Sequence, residues 1–292
     1  MKQARILVLR GGAIGDFIVT LPALQALRER WPDGYIELIG YPHVAQLAEI
    51  AGIVNKVESL DRAGIARLFA LRFLLTDEQC DYFRSFDIIL NYLYDPDGSV
   101  AENLRQTGAQ LVLHHEPFVT QLHAVDHFLK PLERLAIYSA GNAPKLRLIA
   151  EKPPHPFAAF HPGSGSPKKN WPAENFIALA RKIETRAVFI IGEADEDAER
   201  ILRREIPDAE IWKQLPLPKL AARLSTATLY IGNDSGISHL AAALGVPTLV
   251  LFGPSDPNLW SPRGARVKVI QAPARDLARL DPDTVLAATA EV

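Results

Sequence analysis

Three stretches of this 292-residue chain hold side chains that could do chemistry. The first, RGGAIGDFIVTLPAL, follows an apolar run from Ile6 to Leu9 and contains Gly11, Gly12 and Gly15. A strand, a glycine-rich turn and a helix in that order outline a phosphate-binding turn. Asp16, however, stands at the helix start, where a phosphate would lie. A carboxylate there suits a general base that takes a proton from a hydroxyl nucleophile; the alternative is an ordinary N-terminal cap. The turn is a poor dinucleotide fingerprint. With Gly12 and Gly15 on the last two glycines of G-x-G-x-x-G, Arg10 takes the first place, and Glu37 falls mid-strand instead of at the strand end.

The second stretch is FHPGSGSPKKNWPAENF. Gly163, Ser164, Gly165 and Ser166 allow close backbone approach to an anion and add hydroxyl donors, with Lys168 and Lys169 just before a helix and Pro172 at its first position. The spacing of a Walker A loop is absent. The plain alternative is a solvated polar turn. The third stretch, GNDSGISHLAAALG, has Asp234 and Ser235 as expected caps of a helix starting near Gly236. The N–H groups of Ser235, Gly236 and Ile237 could hold a diphosphate, with His239 in the first turn on the same side. Two such loops in one half of the chain point to one ligand with two phosphates, a nucleoside diphosphate attached to something. Glu193 and Asp195, in FIIGEADED, could accept from ribose hydroxyls or form a solvated acidic turn.

These loops need a scaffold. Strands are expected at Arg5–Leu9, Tyr35–Gly40, Lys56–Leu60, Asp87–Tyr92 and Gln110–His114, then at Ala158–His161, Ala187–Gly192, Ala209–Trp212, Thr228–Gly232 and Thr248–Phe252. Amphipathic stretches separate them, among them Phe17–Arg30, Ile65–Leu75, Ala173–Ile183, Glu196–Ile206, Leu217–Ser225 and Ile237–Leu244. Alternating strands and helices imply parallel sheets. The proline-rich segment at 141–157 interrupts the rhythm and reads as a linker. The chain is therefore two doubly wound α/β halves, residues 1–145 and 155–270, with a closing helix at 271–292 able to pack on either. Ligands of such sheets bind beyond the carboxyl ends of the strands. With the nucleotide on the second half, Asp16 is expected to face it across a cleft.

The formal net charge of −2 gives no basic field for nucleic acid. A single cysteine, Cys80, permits no internal disulfide and fits a reducing compartment. The N-terminal apolar run is too short for a signal peptide, and no run reaches the roughly 18 residues of a membrane span. A cytoplasmic protein is expected, with peripheral contact at the inner face of the inner membrane left open.

Together and in this order, RGGAIGDFIVTLPAL, HPGSGSPKKNWP and NDSGISHLAAALGVPTLVLFGPSDPNLWSPRG resemble glycosyltransferase family 9, the bacterial ADP-heptose:lipopolysaccharide heptosyltransferases. The resemblance spans both halves. It implies a GT-B fold, two Rossmann-like domains facing a cleft, with a glycan or glycolipid acceptor on the first and the ADP-sugar donor on the second. It also implies inverting, metal-independent transfer with no cofactor beyond the donor. In the family, Asp16 corresponds to the base and Lys169 to the phosphate-binding lysine. Asp234, Ser235, Gly236 and His239 correspond to the donor segment and Ser164 to the loop hydroxyl; Glu193 or Asp195 matches the ribose acid only loosely. Arg10, Gly12 and Gly15 fall on the acceptor side, and other cations that could meet the acceptor are scattered at Arg62, Arg67, Arg72 and Arg105. Asp95 and Asp97 have the D-x-D spacing that holds a metal in other transferases, but Pro96 and Gly98 favour a turn, so no metal site is expected. Two other classes remain open: a GT-B sugar-nucleotide 2-epimerase, and a nucleotide-sugar-binding protein without catalysis.

Overall fold

A computed structural model of the chain describes residues 3–61, 63–138, 141–150 and 155–292. Arg62 and residues 151–154 of the proline-rich stretch lie outside them. The chain divides into two units, Met1–Asn142 and Ala143–Val292.

The first unit is a five-stranded parallel sheet of order β3-β2-β1-β4-β5, with β1 Arg5–Leu9, β2 Tyr35–Gly40, β3 Lys56–Ser59, β4 Ile88–Asn91 and β5 Val112–His114. Its helices are α1 Ile14–Ile18, α2 Leu21–Arg30, α3 Pro42–Ile50, α4 Ala63–Ala66, α5 Asp77–Arg84, α6 Ser99–Gln106 and α7 Ala124–Leu129. The second is a six-stranded sheet of order β11-β10-β9-β6-β7-β8, again parallel throughout. Its strands are β6 Phe157–His161, β7 Arg186–Ile191, β8 Glu210–Lys213, β9 Leu229–Asn233, β10 Thr248–Phe252 and β11 Val267–Gln271. Its helices are α8 Ala173–Ala180, α9 Glu196–Glu205, α10 Leu217–Leu224, α11 Gly236–Ala243, α12 Pro257–Trp260 and α13 Pro282–Ala288. The central strands are short apolar runs buried on both faces, as a helix-covered parallel sheet requires.

Each expected strand is present to within two residues, and β11 adds a half-buried edge that its VKVIQ sequence did not announce. Two helices depart from expectation. Phe17–Arg30 is two helices, because Pro22 in a continuous helix would clash with the Ile18 carbonyl. Val19 and Thr20 keep right-handed helical backbone, but the i→i−4 bonding lapses after Val19 and restarts with Pro22 in the first turn, while Thr20 Oγ1 donates to Asp16 O at 2.8 Å. The stretch Ile65–Leu75 leaves the helix after a tight turn at Arg67–Phe69. Asn103 Nδ2 donates to the carbonyls of Leu68 and Ala70 there, and Leu71 is left exposed. The closing segment belongs to the second unit: Leu277, Leu280, Val285 and Ala288 share one core with Trp171, Phe176 and Phe189.

Chain order reverses between β1 and β4 in one sheet and between β6 and β9 in the other. Helical connections leave opposite faces at such a point, which opens a crevice at the carboxyl ends of the two strands. The Gly11–Asp16 stretch follows β1, the 162–172 loop follows β6, and Asp234–Ser235 follow β9.

Candidate functional site

In the second unit, adjacent strands bring two of the three stretches side by side. Asn233 at the end of β9 fastens them: its Nδ2 donates to Pro162 O at 2.8 Å, and its Oδ1 accepts the Trp171 N–H at 3.0 Å. Trp171 is itself locked, its Nε1 donating to Leu280 O at 2.9 Å and its ring edge-on to Phe176. Lys169, two residues before this anchor, reaches Asp234 with Nζ to Oδ2 at 2.8 Å. The Asp234 side chain is 7% exposed and that of Lys169 37%. Asp234 is therefore the lysine's ion-pair partner, not the helix cap expected of it. The cap is Ser235, whose Oγ accepts the Ser238 N–H. Gly236 and Ile237 open α11, where no carbonyl one turn back can satisfy their N–H groups. His239, the fourth residue of α11, is buried.

Ser164 Oγ lies 2.6 Å from Asn170 Oδ1 and 2.8 Å from Ser166 O, so its hydroxyl shapes its own loop. Gly165 is exposed, and a Cβ there would meet open space. The position that demands glycine is Gly163, where a Cβ would fall 1.8 Å from Asp195 Oδ1. Pro172 caps α8 one residue before its expected place. The two acids considered for ribose separate: Glu193 is exposed, whereas Asp195 is 5% exposed beneath the 162–166 loop. Asp195 Oδ2 accepts the Gly192 N–H at 2.7 Å and lies 3.5 Å from His161 Nε2. Burial alone would raise this carboxyl; His161 and the Gly192 N–H outweigh it and hold it below the ordinary range.

In the first unit, Asp16 is the third residue of α1 and its side chain is 37% exposed. Its Oδ2 accepts the Ala13 N–H at 3.0 Å, and its Oδ1 lies 3.9 Å from Arg10 Nη2. Gly12 makes this placement possible: its φ is +100°, and a Cβ there would sit 2.7 Å from Asp16 Cβ. Gly15 lies inside α1, its carbonyl accepting the Val19 N–H. Arg10 is buried under the turn. It donates from Nε to Thr20 Oγ1 and from Nη2 to Asp16 O, both at 2.9 Å, and stacks 4.3 Å over the Phe128 ring. Burial lowers its pKa to about 10, partly offset by Asp16. Arg10 thus braces α1 from below. Elsewhere in the unit, Arg67 bonds Gln79 and Arg105 pairs with Glu102, while Arg72 is exposed. Asp95 accepts the N–H groups of Val100 and Ala101, and Asp97 that of Ser99. Both acids of the D-x-D stretch are thus committed to the start of α6.

Sequence reasoning passed over Asn233 and His161, because a strand-end Asn or His reads as ordinary without knowledge of which strands are neighbours. The signal available was positional: each is the last residue of the strand that carries a glycine-rich loop. Chemically, the second unit presents an ammonium, a run of open amides and a close-approach loop, suited to a diphosphate. The first presents a partly exposed carboxylate on a braced turn, suited to proton transfer.

Residues 100–286, more than half of the chain, match the family model of glycosyltransferase family 9 (heptosyltransferase). Lipopolysaccharide heptosyltransferase 1 of Salmonella typhimurium is 30% identical over 134 residues, a match covering 44% of this chain and 42% of that enzyme. The family 9 glycosyl transferase structure from Veillonella parvula superposes with a TM-score of 0.81 at 22% identity, covering 98% of this chain and 96% of that one. The structure of E. coli heptosyltransferase WaaC with ADP gives 0.74 at 21% identity, over 98% and 99% of the two chains. These likenesses establish the fold as the GT-B class of paired Rossmann-like units that the sequence led us to expect. By fold, by motif order and by the span of the family match, the chain belongs to glycosyltransferase family 9.

Proposed function

We propose that the chain is an inverting, metal-independent transferase that moves heptose from ADP-heptose to a lipopolysaccharide-core acceptor. The observation that carries this reading is the Lys169–Asp234 pair at the switch point of the second sheet, beside the open amides of α11. The names of the relatives supply the sugar and the nucleotide: a lipopolysaccharide heptosyltransferase and a heptosyltransferase structure with ADP. The Asp16 carboxylate takes the proton of an acceptor hydroxyl. The freed oxygen attacks the anomeric carbon on the side opposite the diphosphate, whose bond to that carbon breaks, and ADP leaves. Lys169 and the N–H groups of Ser235, Gly236 and Ile237 meet the charge that grows on the diphosphate; such preorganised donors each contribute about 3–4 kcal/mol. Ser164 and Gly163 keep the loop shaped for close approach, exposed Gly165 leaves its outer side open to the donor, His239 backs the donor segment, and Glu193 is the acid open to a ribose hydroxyl. The committed acids of the D-x-D stretch favour a reaction without a metal on the diphosphate. No helix among the described residues is long and apolar enough to cross a membrane, so the acceptor is reached by peripheral contact in this reading.

The test is incubation with ADP-heptose and a heptose-free lipopolysaccharide core, with and without EDTA. Equal formation of ADP and heptosylated product in both arms is expected. A new sugar released without transfer favours the epimerase class, and ADP binding without turnover favours a binding protein. Calorimetry against ADP-, GDP- and UDP-sugars tests the choice of base.

A further inference from the structure

The interior behind the proposed donor site contains an ordered line of polar groups that links residues of three separate strand-end segments. Asp195 lies against the backbone of Gly163 and against His161 Nε2. His161 Nδ1 is 3.1 Å from Ser235 Oγ. Ser235 Oγ is in turn 3.3 Å from Ser238 Oγ and accepts the Ser238 N–H. Ser238 Oγ donates to Asn233 O and lies 3.0 Å from the Tyr230 hydroxyl. Every member is buried. Directions follow from the two ends. With a neutral imidazole, the ionised Asp195 only accepts, so the His161 proton sits on Nε2 and Nδ1 is an acceptor. Ser238 gives its proton to Asn233 O, so Tyr230 donates to Ser238. Ser235 is left to donate to His161 Nδ1 while its lone pair holds the Ser238 N–H.

We propose that His161, oriented by Asp195, is a positioning residue for the donor diphosphate: by accepting the Ser235 hydroxyl proton it holds that side chain inward as the cap of α11, so that the Ser235–Ile237 amides face the phosphates. Two features single out this line from ordinary core polarity. His161 is the last residue of β6, immediately before the 162–166 loop, and Asp195 supports that same loop under Gly163. One buried pair therefore sets the position of both phosphate-facing segments, whose outer faces are already tied by Lys169 and Asp234. A hydroxyl free to rotate would compete with the diphosphate for the amides it caps. The inference rests on the second unit's holding the donor.

Calorimetric titration with ADP separates the two claims, using wild type, His161→Asn and His161→Gln. An Asn amide oxygen stands where Nδ1 stood and keeps the acceptor for Ser235; a Gln amide reaches toward Asp195 and abandons it. The expected result is a Kd for ADP that rises about tenfold or more in H161Q and about threefold or less in H161N, whatever the order of their melting temperatures. Equal losses in the two variants, or a larger loss in H161N, overturn the proposal alone. Wild type that fails to bind ADP overturns the donor reading and this proposal with it. Should H161Q not fold, Ser235→Ala takes its place, since it removes the donated proton itself; its expected loss is again about tenfold, and binding within twofold of wild type overturns the proposal.

Discussion

The pair of Lys169 and Asp234 lends itself to a double-mutant cycle with Lys169→Met and Asp234→Asn. At 2.8 Å, with Asp234 nearly buried and Lys169 about one-third exposed, the pair lies between two regimes. Exposed ion pairs contribute about 0–1 kcal/mol, and hydrogen bonds to charged groups about 1.5–3 kcal/mol. We expect a coupling energy of about 1.5 kcal/mol. Lys169→Met alone costs more, about 2–3 kcal/mol, because it leaves a carboxylate buried without its cation. At about 2–4 °C per kcal/mol for a unit of this size, its melting temperature falls by roughly 4–12 °C. Asp234→Asn costs less, since an amide tolerates burial and keeps an acceptor for the ammonium. The assay is thermal unfolding of the four proteins by circular dichroism at neutral pH. Strict additivity, with coupling below about 0.5 kcal/mol, would refute the claim that this pair ties the two loops. Repeating the melts with ADP at about 100 times its Kd adds a second reading, since such a ligand stabilises by about 2.7 kcal/mol. Lys169→Met should lose most of that gain.

Asp16→Asn should lower the transfer rate by roughly 10²–10⁴ while leaving ADP binding unchanged; a fully active variant removes the base assignment. Gly12→Ala meets both a φ of +100° and the Asp16 Cβ, so transfer should fall at least tenfold with little change in ADP affinity; wild-type turnover would show that Asp16 tolerates displacement. Gly163→Ala must push Asp195 or the loop aside, and overpacking of this kind costs about 1–3 kcal/mol; an unchanged urea midpoint counts against the buried contact. Burial, then His127 and His114, lowers His115 to about 4. Unfolded histidine binds its proton near pH 6.5, so stability of the first unit should fall as pH drops from about 6.5 to about 4 and level off below. His115→Phe should flatten that slope, and urea midpoints that coincide at pH 7 and pH 5 in the wild type dismiss the point.

Much of the scaffold was legible because parallel strands buried on both faces are written as uninterrupted apolar runs. Ile6–Leu9 and Thr248–Phe252 needed no more than that. What escaped was decided by contacts distant in sequence. Leu68, Leu71 and Leu75 have helical spacing, yet Asn103, more than thirty residues on, binds the unwound carbonyls and stabilises the turn-out. The first helical stretch, expected unbroken over Phe17–Arg30, is split because the clash of Pro22 with Ile18 outweighs the leucine periodicity. At the site, residue types were readable but partners were not. Asp234 has the sequence signature of a cap, and only the adjacency of β6 and β9 brings Lys169 to it across 65 positions. Arg10 was expected among the cations of the acceptor side, and its burial as the brace of Asp16 depended on the packing of Phe128 and Thr20 around it.

The contact between Gly163 and Asp195 also constrains how this sequence can change. A side chain at 163 must displace the carboxylate at 195, and shortening 195 first strips the Gly192 N–H of its acceptor and His161 of its anion. The expected outcome is epistasis between the two positions: each single step is costly, and the steric part of the cost is relieved when both change together. A mutational library covering both sites at once should recover compensated pairs that single-site scans would discard.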